Sequence, residues 1–343
     1  MMMRLMRVWM VAMLVMLVLG VVANGSGNVD HNGKEHDALC DFLKVAVDKW
    51  KEVKTRDPED PLRKALKNAI FGYESAEEEL ESWKKTLPQD YKNMEEEGSS
   101  RTMWCGQQCQ GDHQASYPRW PGHSAPHDMV CLCTKGSQGR PVNNSNNQDT
   151  LCGNTRETLG SGNEGWTGNN TGQAQMSATW NNVVTKCLEG GRQKSGNLKE
   201  ALNTFTGILD HKESHGYSSS KQLGEGTPNE WSACTGSPPR GVCVMYYPED
   251  KDTKTWWVDL QNALIEDDKL QNKRAEEETR KKEEAEQQDS PQMEALKSGH
   301  PPTNQTDQHN KSNLTDTMRK LNLTGSSSII LPPSWLLRAV LLI

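Results

Sequence analysis

Nine cysteines and nine histidines hold most of the reactive potential of this 343-residue chain. Cys105-Gly-Gln-Gln-Cys109, Cys131-Leu-Cys133 and Cys152, with His113, His123 and His127 between them, offer the thiolate and imidazole donors that zinc takes. Their spacing is not a repeated C-x2-C pair, and in an exported chain, which the N-terminus indicates, thiols oxidise. All nine, Cys40, Cys105, Cys109, Cys131, Cys133, Cys152, Cys187, Cys234 and Cys243, are therefore read as disulfide candidates and no metal ligand is expected. Cys131 and Cys133 are too close to favour each other, so each is expected to reach a distant partner. Nine is odd, so at least one thiol is unpaired in a monomer or bridges two chains, and the pairing is left open.

His211-Lys-Glu-Ser-His215 sets two histidines four apart around a glutamate, but the glutamate is displaced from its H-E-x-x-H position. Gly216 is expected to end a helix there, leaving an exposed terminus. No G-x-S-x-G elbow, phosphate-binding glycine loop or EF-hand loop occurs. The carboxylates fall in runs such as Glu77-Glu78-Glu79 and Glu95-Glu96-Glu97, which suit solvated helix faces. No catalytic residue and no cofactor is expected.

The elements that would position these groups are mostly helical. Leu39, Leu43, Ala46, Trp50 and Val53 recur at steps of 4 and 3, the repeat of a coiled-coil seam, and predict a helix over about 36–55. Asp60 is placed to cap a second helix with Pro61 in its first position. From Leu62 through Leu66, Ala69, Tyr73, Ala76, Leu80 and Trp83 to Leu87 the same spacing predicts one long helix over about 61–87, roughly 39 Å. A single amphipathic helix lying on a globular core would instead show a wider stripe. Residues 98–172 hold five cysteines among Gly, Asn, Ser, Pro and Gln, and read as loop mass held by crosslinks. Met176, Trp180, Val183 and Cys187, then Leu198, Leu202, Phe205 and Leu209, predict two more helices. Val242 to Tyr247 reads as a strand beside the short loop from Cys234 to Cys243, and a last helix over about 255–286 carries solvated Glu/Arg and Glu/Lys pairs.

Both ends read as addresses. Arg4 and Arg7 precede an apolar run to Val22, and Val21-Val22-Ala23 suits signal peptidase, so residues 1–23 are expected to be a signal peptide. Gly325-Ser326-Ser327-Ser328 before the apolar 329–343 has the parts of a glycosylphosphatidylinositol (GPI) attachment signal, with Ser326 as attachment residue, Gly325 or Ser327 as neighbours, and residues 327–343 removed. Hydrophobic residues make up 34% of the chain, but about 28% once these ends are set aside, which argues against one large core. Removing the ends takes the net charge from −7 to −10, which disfavours a nucleic-acid partner. Sequons stand at Asn24, Asn143, Asn169, Asn304, Asn310, Asn313 and Asn322, Asn24 lying close to the cleavage point. Residues 24–288 are thus expected to form the folded domain, and 289–326 a disordered glycosylated stalk.

Several segments together resemble the variant surface glycoproteins of African trypanosomes, in particular the Trypanosoma congolense type. They are Ala38-Leu-Cys-Asp-Phe-Leu-Lys-Val-Ala-Val-Asp-Lys-Trp50, Trp104-Cys-Gly-Gln-Gln-Cys109, Cys131-Leu-Cys-Thr-Lys-Gly136, Leu151-Cys-Gly153, Gly241-Val-Cys-Val-Met-Tyr-Tyr247 and Pro333-Ser-Trp-Leu-Leu-Arg-Ala-Val-Leu-Leu-Ile343. The resemblance implies a mainly α fold: an elongated antiparallel helical coiled-coil rod with a disulfide-stapled, loop-rich top lobe around 98–172 and a disordered C-terminal tail. It also implies a GPI-anchored homodimer on the extracellular face of the plasma membrane, packed laterally into a coat that meets host antibodies and is exchanged for other copies. Brucei-type relatives carry a second, cysteine-rich C-terminal domain; here no cysteine follows Cys243, and a flexible tail is expected in its place. A surface receptor for a host serum protein on the same scaffold is the competing expectation.

Overall fold

The computed structural model describes residues 28–92, 100–108, 118–143, 148–168, 171–190, 197–214, 216–229, 232–250 and 252–288. The signal peptide, the stalk, the GPI signal with Gly325, Ser326 and Ser327, every sequon except Asn143, and Cys109, His113 and His215 lie outside these residues. By contacts the chain divides into residues 1–284 and 285–343; of the latter only the end of a helix is described.

Helix α1 spans Gly33–Val53. Its expected seam, Leu39, Leu43, Ala46, Trp50 and Val53, is buried, but so are Cys40, Phe42 and Val47. That is the broad stripe of a helix lying on a core rather than the narrow seam of a two-stranded rod. The coiled-coil reading of this segment is corrected accordingly: α1 packs against four other helices, not one.

Helix α2, Pro61–Phe71, starts as its sequence predicts: the Asp60 carboxylate accepts from the Arg63 amide at 2.9 Å, and Pro61 fills the first turn. It does not run on to residue 87. Gly72 takes φ +95°, and a Cβ there would lie 2.1 Å from the His123 ring, so the chain turns aside to admit the imidazole. A separate turn, α3 (Leu80–Trp83), follows. Of the later seam positions Tyr73 and Leu87 are still buried and Leu80 and Trp83 pack on the core, by a bent path, while Ala76 is exposed. Gly72→Ala is expected to cost on the order of 2–4 kcal/mol, from the positive φ and the clash together, measurable by urea unfolding. A loss under about 0.5 kcal/mol would remove this account of the break.

The described residues of 98–172 are not loop alone, although turns and irregular chain make up most of them. They contain α4 (Ala125–Cys133), every residue of which is buried. A helix buried on all faces has no polar side, so no amphipathic period announces it. Strand β1 (Asp30–His31) pairs in parallel with β2 (Thr150–Leu151). Helix α5 (Gln173–Thr179) passes through a wider turn at Trp180–Val184 into α6 (Thr185–Leu188), and α7 spans Leu198–Gly207. A three-stranded antiparallel sheet follows, β3 (Asp210–His211), β4 (Lys221–Glu225) and β5 (Val242–Tyr246), with Leu223 opposite Val244. The helix terminus expected at His211 is thereby corrected: α7 has already ended at Gly207, and His211 is an exposed strand residue paired with Lys221. Helix α8 runs Trp256–Gln288; Trp256, Trp257, Leu260 and Ala263 are buried, and residues 268–284 are exposed.

The described residues of the first unit share one continuous hydrophobic core, contrary to the expectation from composition. Tryptophans let few residues fill much volume. Phe42 of α1 stacks at 4.7 Å on Trp256 of α8, which stacks at 5.2 Å on Phe205 of α7. Trp50, Phe71, Trp83 and Trp180 then pass edge to face from α1 through α2 and α3 to the start of the wide turn.

Candidate functional site: a buried polar hub and its disulfide frame

Four disulfides frame the core: Cys40–Cys187, Cys105–Cys131, Cys133–Cys152 and Cys234–Cys243. Cys131 and Cys133 bond to separate partners 26 and 19 residues away, as their crowding required. His36 lies within 4.8 Å of the sulfurs of Cys40 and Cys187, but both sulfurs are spent on one bridge, which removes the thiolates a metal would need.

The segments quoted above from residues 38 to 247 meet around α4. The Trp104 indole is fully buried, and its carbonyl accepts from His127 Nε2 at 2.9 Å. The next residue, Cys105, bonds to Cys131 of α4. Gly106 passes so close to the chain at Ala233 that a Cβ would lie 2.0 Å from the Ala233 carbonyl oxygen, and its own carbonyl accepts from the Tyr247 hydroxyl at 2.7 Å. The Trp-Cys-Gly order thus supplies an indole, a crosslink and a gap at one place.

Polar side chains complete this centre. The last carbonyls of a helix lack intrahelical donors. In α4 each is met by a side chain from elsewhere: Leu132 by Asn32 at 2.9 Å, Cys133 by Thr179 at 3.2 Å, and Cys131 by Arg101. Arg101 also donates to the carbonyls of Thr134, Lys135 and Trp166, with its guanidinium 5.2 Å over the Trp166 ring. Burial lowers its pKa to about 9, so it still carries its charge at neutral pH, facing the negative end of the α4 dipole. Lys135 donates to the carbonyls of Arg156, Gly160 and Gly162 and so holds that loop.

His127 lies between Tyr91 and Trp104. Since Nε2 faces a carbonyl it carries the proton, and Nδ1 accepts from the Tyr91 hydroxyl at 2.6 Å. Burial, then the Arg119 charge, depress its pKa to about 3, and the same two causes hold His123 well below its usual value. Asp128 accepts from the Gly122 amide, the Tyr246 hydroxyl and the Trp256 indole at 3.0, 2.8 and 2.7 Å. Burial outweighs these donors and raises its pKa to about 7.

These shifts have opposite consequences for stability. An unfolded histidine takes a proton near pH 6.5, the folded His127 only near pH 3; its contribution is complete above 6.5 and drains as pH falls towards 3. Asp128 is raised instead, so its ionisation weakens the fold as pH climbs from about 4 to about 7, and acid relieves that. The stability gap between the unmodified chain and His127→Gln is expected to narrow by about 2 kcal/mol from pH 7 to pH 5. For Asp128→Asn the gap moves the other way. Urea unfolding at the two pH values checks both, and a gap for His127 that ignores pH would mean the buried ring is not held neutral.

Chemically, the hub joins elements. Its donors and acceptors are met mainly by backbone and by aromatic side chains, and none of Arg101, Arg119, His123, His127, Asp128 or Lys135 lines the pocket at residues 140–143, 225–226 and 236–242. Sequence reasoning missed Arg101, Asp128 and Lys135. The available signal was charge embedded in apolar or cysteine-rich context, as in Asp128-Met-Val-Cys-Leu-Cys-Thr-Lys135.

The class of protein that results is a mainly helical, disulfide-braced domain whose ionisable groups serve its architecture. A family model described as the trypanosomal VSG domain matches residues 46–288, and the chain belongs to that family. The family is one of structural, non-enzymatic surface coat proteins of trypanosomes. No curated protein matches the chain. Among the described residues no helix is long and apolar enough to cross a membrane.

Proposed function

We propose that this chain is a GPI-anchored coat glycoprotein that shields the trypanosome surface and is exchanged to evade host immunity. The observation that carries the reading is the family match over residues 46–288. The small residues at Gly325–Ser327 before the apolar 329–343 support the lipid anchor, and Arg4, Arg7 and the apolar run to Val22 support export. Four disulfides agree with a protein that matures in an oxidising compartment. On the segments quoted above, the chain is of the Trypanosoma congolense type. It acts as a homodimer packed laterally with its neighbours, with N-glycans at Asn143, Asn169, Asn304, Asn310, Asn313 and Asn322, and host antibodies are its other partners.

Treating intact cells with phosphatidylinositol-specific phospholipase C, under conditions where an acylated inositol is first deacylated, is expected to release a soluble dimer. Retention on the cell would sink the anchor, and release as a stable monomer would sink the dimer. Copy number separates coat from receptor: the chain should rank among the most abundant surface polypeptides.

A further inference from the structure

Beside the sheet, bordering the polar hub at Asn32, lies a pocket of about 350 Å³. That is at the lower end of the range for small-molecule sites, about 300–1,000 Å³, and is of the size for one or two sugar rings. Its walls include Arg140, Pro141, Glu225, Pro238, Pro239 and Asn143. Asn143 is the acceptor of the sequon Asn143-Asn144-Ser145, so a modifiable side chain forms part of the wall.

Three features of the pocket suit a carbohydrate. Pro141, Pro238 and Pro239 offer flat apolar surface for the C–H face of a pyranose. The exposed Arg140 guanidinium makes no ion pair with another described residue, and its N–H groups can donate to sugar hydroxyls or an acetamido carbonyl. Glu225, whose Oε2 is bonded to His31 Nδ1 at 2.7 Å, keeps Oε1 as an acceptor for a hydroxyl. The Asn143 carboxamide, half-buried, makes no hydrogen bond with another described residue, so linking a sugar to its nitrogen breaks none of the described contacts.

We infer that the pocket is the seat of the first N-acetylglucosamine residues of a glycan carried by Asn143. The inference rests on the glycosylation reading above and deepens it: a sugar joined to a wall residue is held at high effective concentration, so weak contacts suffice to keep it seated. Attachment itself is ordinary transfer, in which C1 of the sugar leaves its lipid diphosphate carrier, bonds to Asn143 Nδ2, and one amide proton departs with the diphosphate. The seated sugar then covers the pocket walls at residues 225–226 and 236–242, the latter inside the short loop that Cys234–Cys243 closes.

The test uses the full chain secreted from a glycosylating eukaryotic cell. The mass of the tryptic peptide 136–156 reports whether Asn143 is modified. Amide hydrogen exchange is then compared with two variants that lose the glycan by different routes, Asn143→Gln, which alters the wall, and Ser145→Ala, which keeps every described wall residue. Both are expected to exchange at least about tenfold faster across residues 226–241, with residues 39–50 unchanged. Native release of the glycan by a peptide amidase is expected to be at least about tenfold slower than after reduction and denaturation. A modified Asn143 whose loss leaves 226–241 unchanged in Ser145→Ala overturns the seating while glycosylation stands. An unmodified Asn143 overturns both. Should Asn143→Gln fail to fold, Ser145→Ala and the release rates decide.

Discussion

Arg101→Leu is expected to lower the unfolding free energy by about 3–5 kcal/mol, a large share of what a domain of this kind has to lose. The cause is the set of acceptors that would be stranded. The guanidinium donates to the carbonyls of Cys131, Thr134, Lys135 and Trp166 in a place closed to water. Each buried carbonyl left without a donor costs about 1–3 kcal/mol. Part of that is offset because leucine does not have to leave water as a charge, and because the Lys135 carbonyl keeps the Trp166 amide at 2.8 Å. Arg101→Lys is expected to recover less than half of the loss, since one ammonium on a flexible stem does not reproduce the planar fork that reaches both sides of the α4 terminus. Urea denaturation of the two variants beside the unmodified chain is the measurement. A leucine variant within about 1 kcal/mol of the original would show that the arginine is dispensable packing.

The second large effect is expected from removing the Cys40–Cys187 bridge. It ties α1 to α6 across 147 residues, whereas Cys234–Cys243 spans only 9. If a bridge acts chiefly by shrinking the unfolded ensemble, the long loop contributes about 5 kcal/mol and the short one about 3. The Cys105–Cys131 and Cys133–Cys152 bridges lie inside the long loop and shorten it, which trims the difference without reversing it. Paired alanine variants at Cys40 and Cys187, and at Cys234 and Cys243, are therefore expected to rank in that order by chemical denaturation. An equal or inverted ranking would mean that local packing, not chain entropy, sets what each bridge contributes.

Some local features could be read directly, because their causes lie within a few residues. Asp60 and Pro61 start a helix through one side-chain hydrogen bond and one fixed φ, and the structure shows both. The run from Val242 is apolar at each position because the strand it forms is buried on both faces. Cys131 and Cys133 could be excluded as partners from their separation alone. The rod reading failed for a different reason. A 4-3 spacing records which residues are apolar, and Tyr73 and Leu87 are buried whether the chain between them is straight or bent. The bend was written in Gly72, but its meaning depended on His123, 51 positions further on, whose ring occupies the space a side chain would need.

The hub was the least legible part. Histidines and cysteines attract attention as possible metal ligands, yet the groups that organise the centre are an arginine, a lysine and an aspartate, types usually taken for surface. Asp128 stays inside because Tyr246 and Trp256, from β5 and α8, aim their donors at it. Nothing near residue 128 in the chain announces either one.

The amino-acid sequence by itself determined the mainly helical class, the starts of several elements, the disulfide-rich character and, through short motifs in a set order, the family. Tertiary structure alone decided which cysteines pair, where the second helix stops, that α4 is interior, and that Asn143 stands at a pocket wall. The division follows range: caps, strands and spacing are settled by neighbours along the chain. The energy of a buried charge, a crosslink or a glycine gap is settled by groups that only folding brings within a few ångströms.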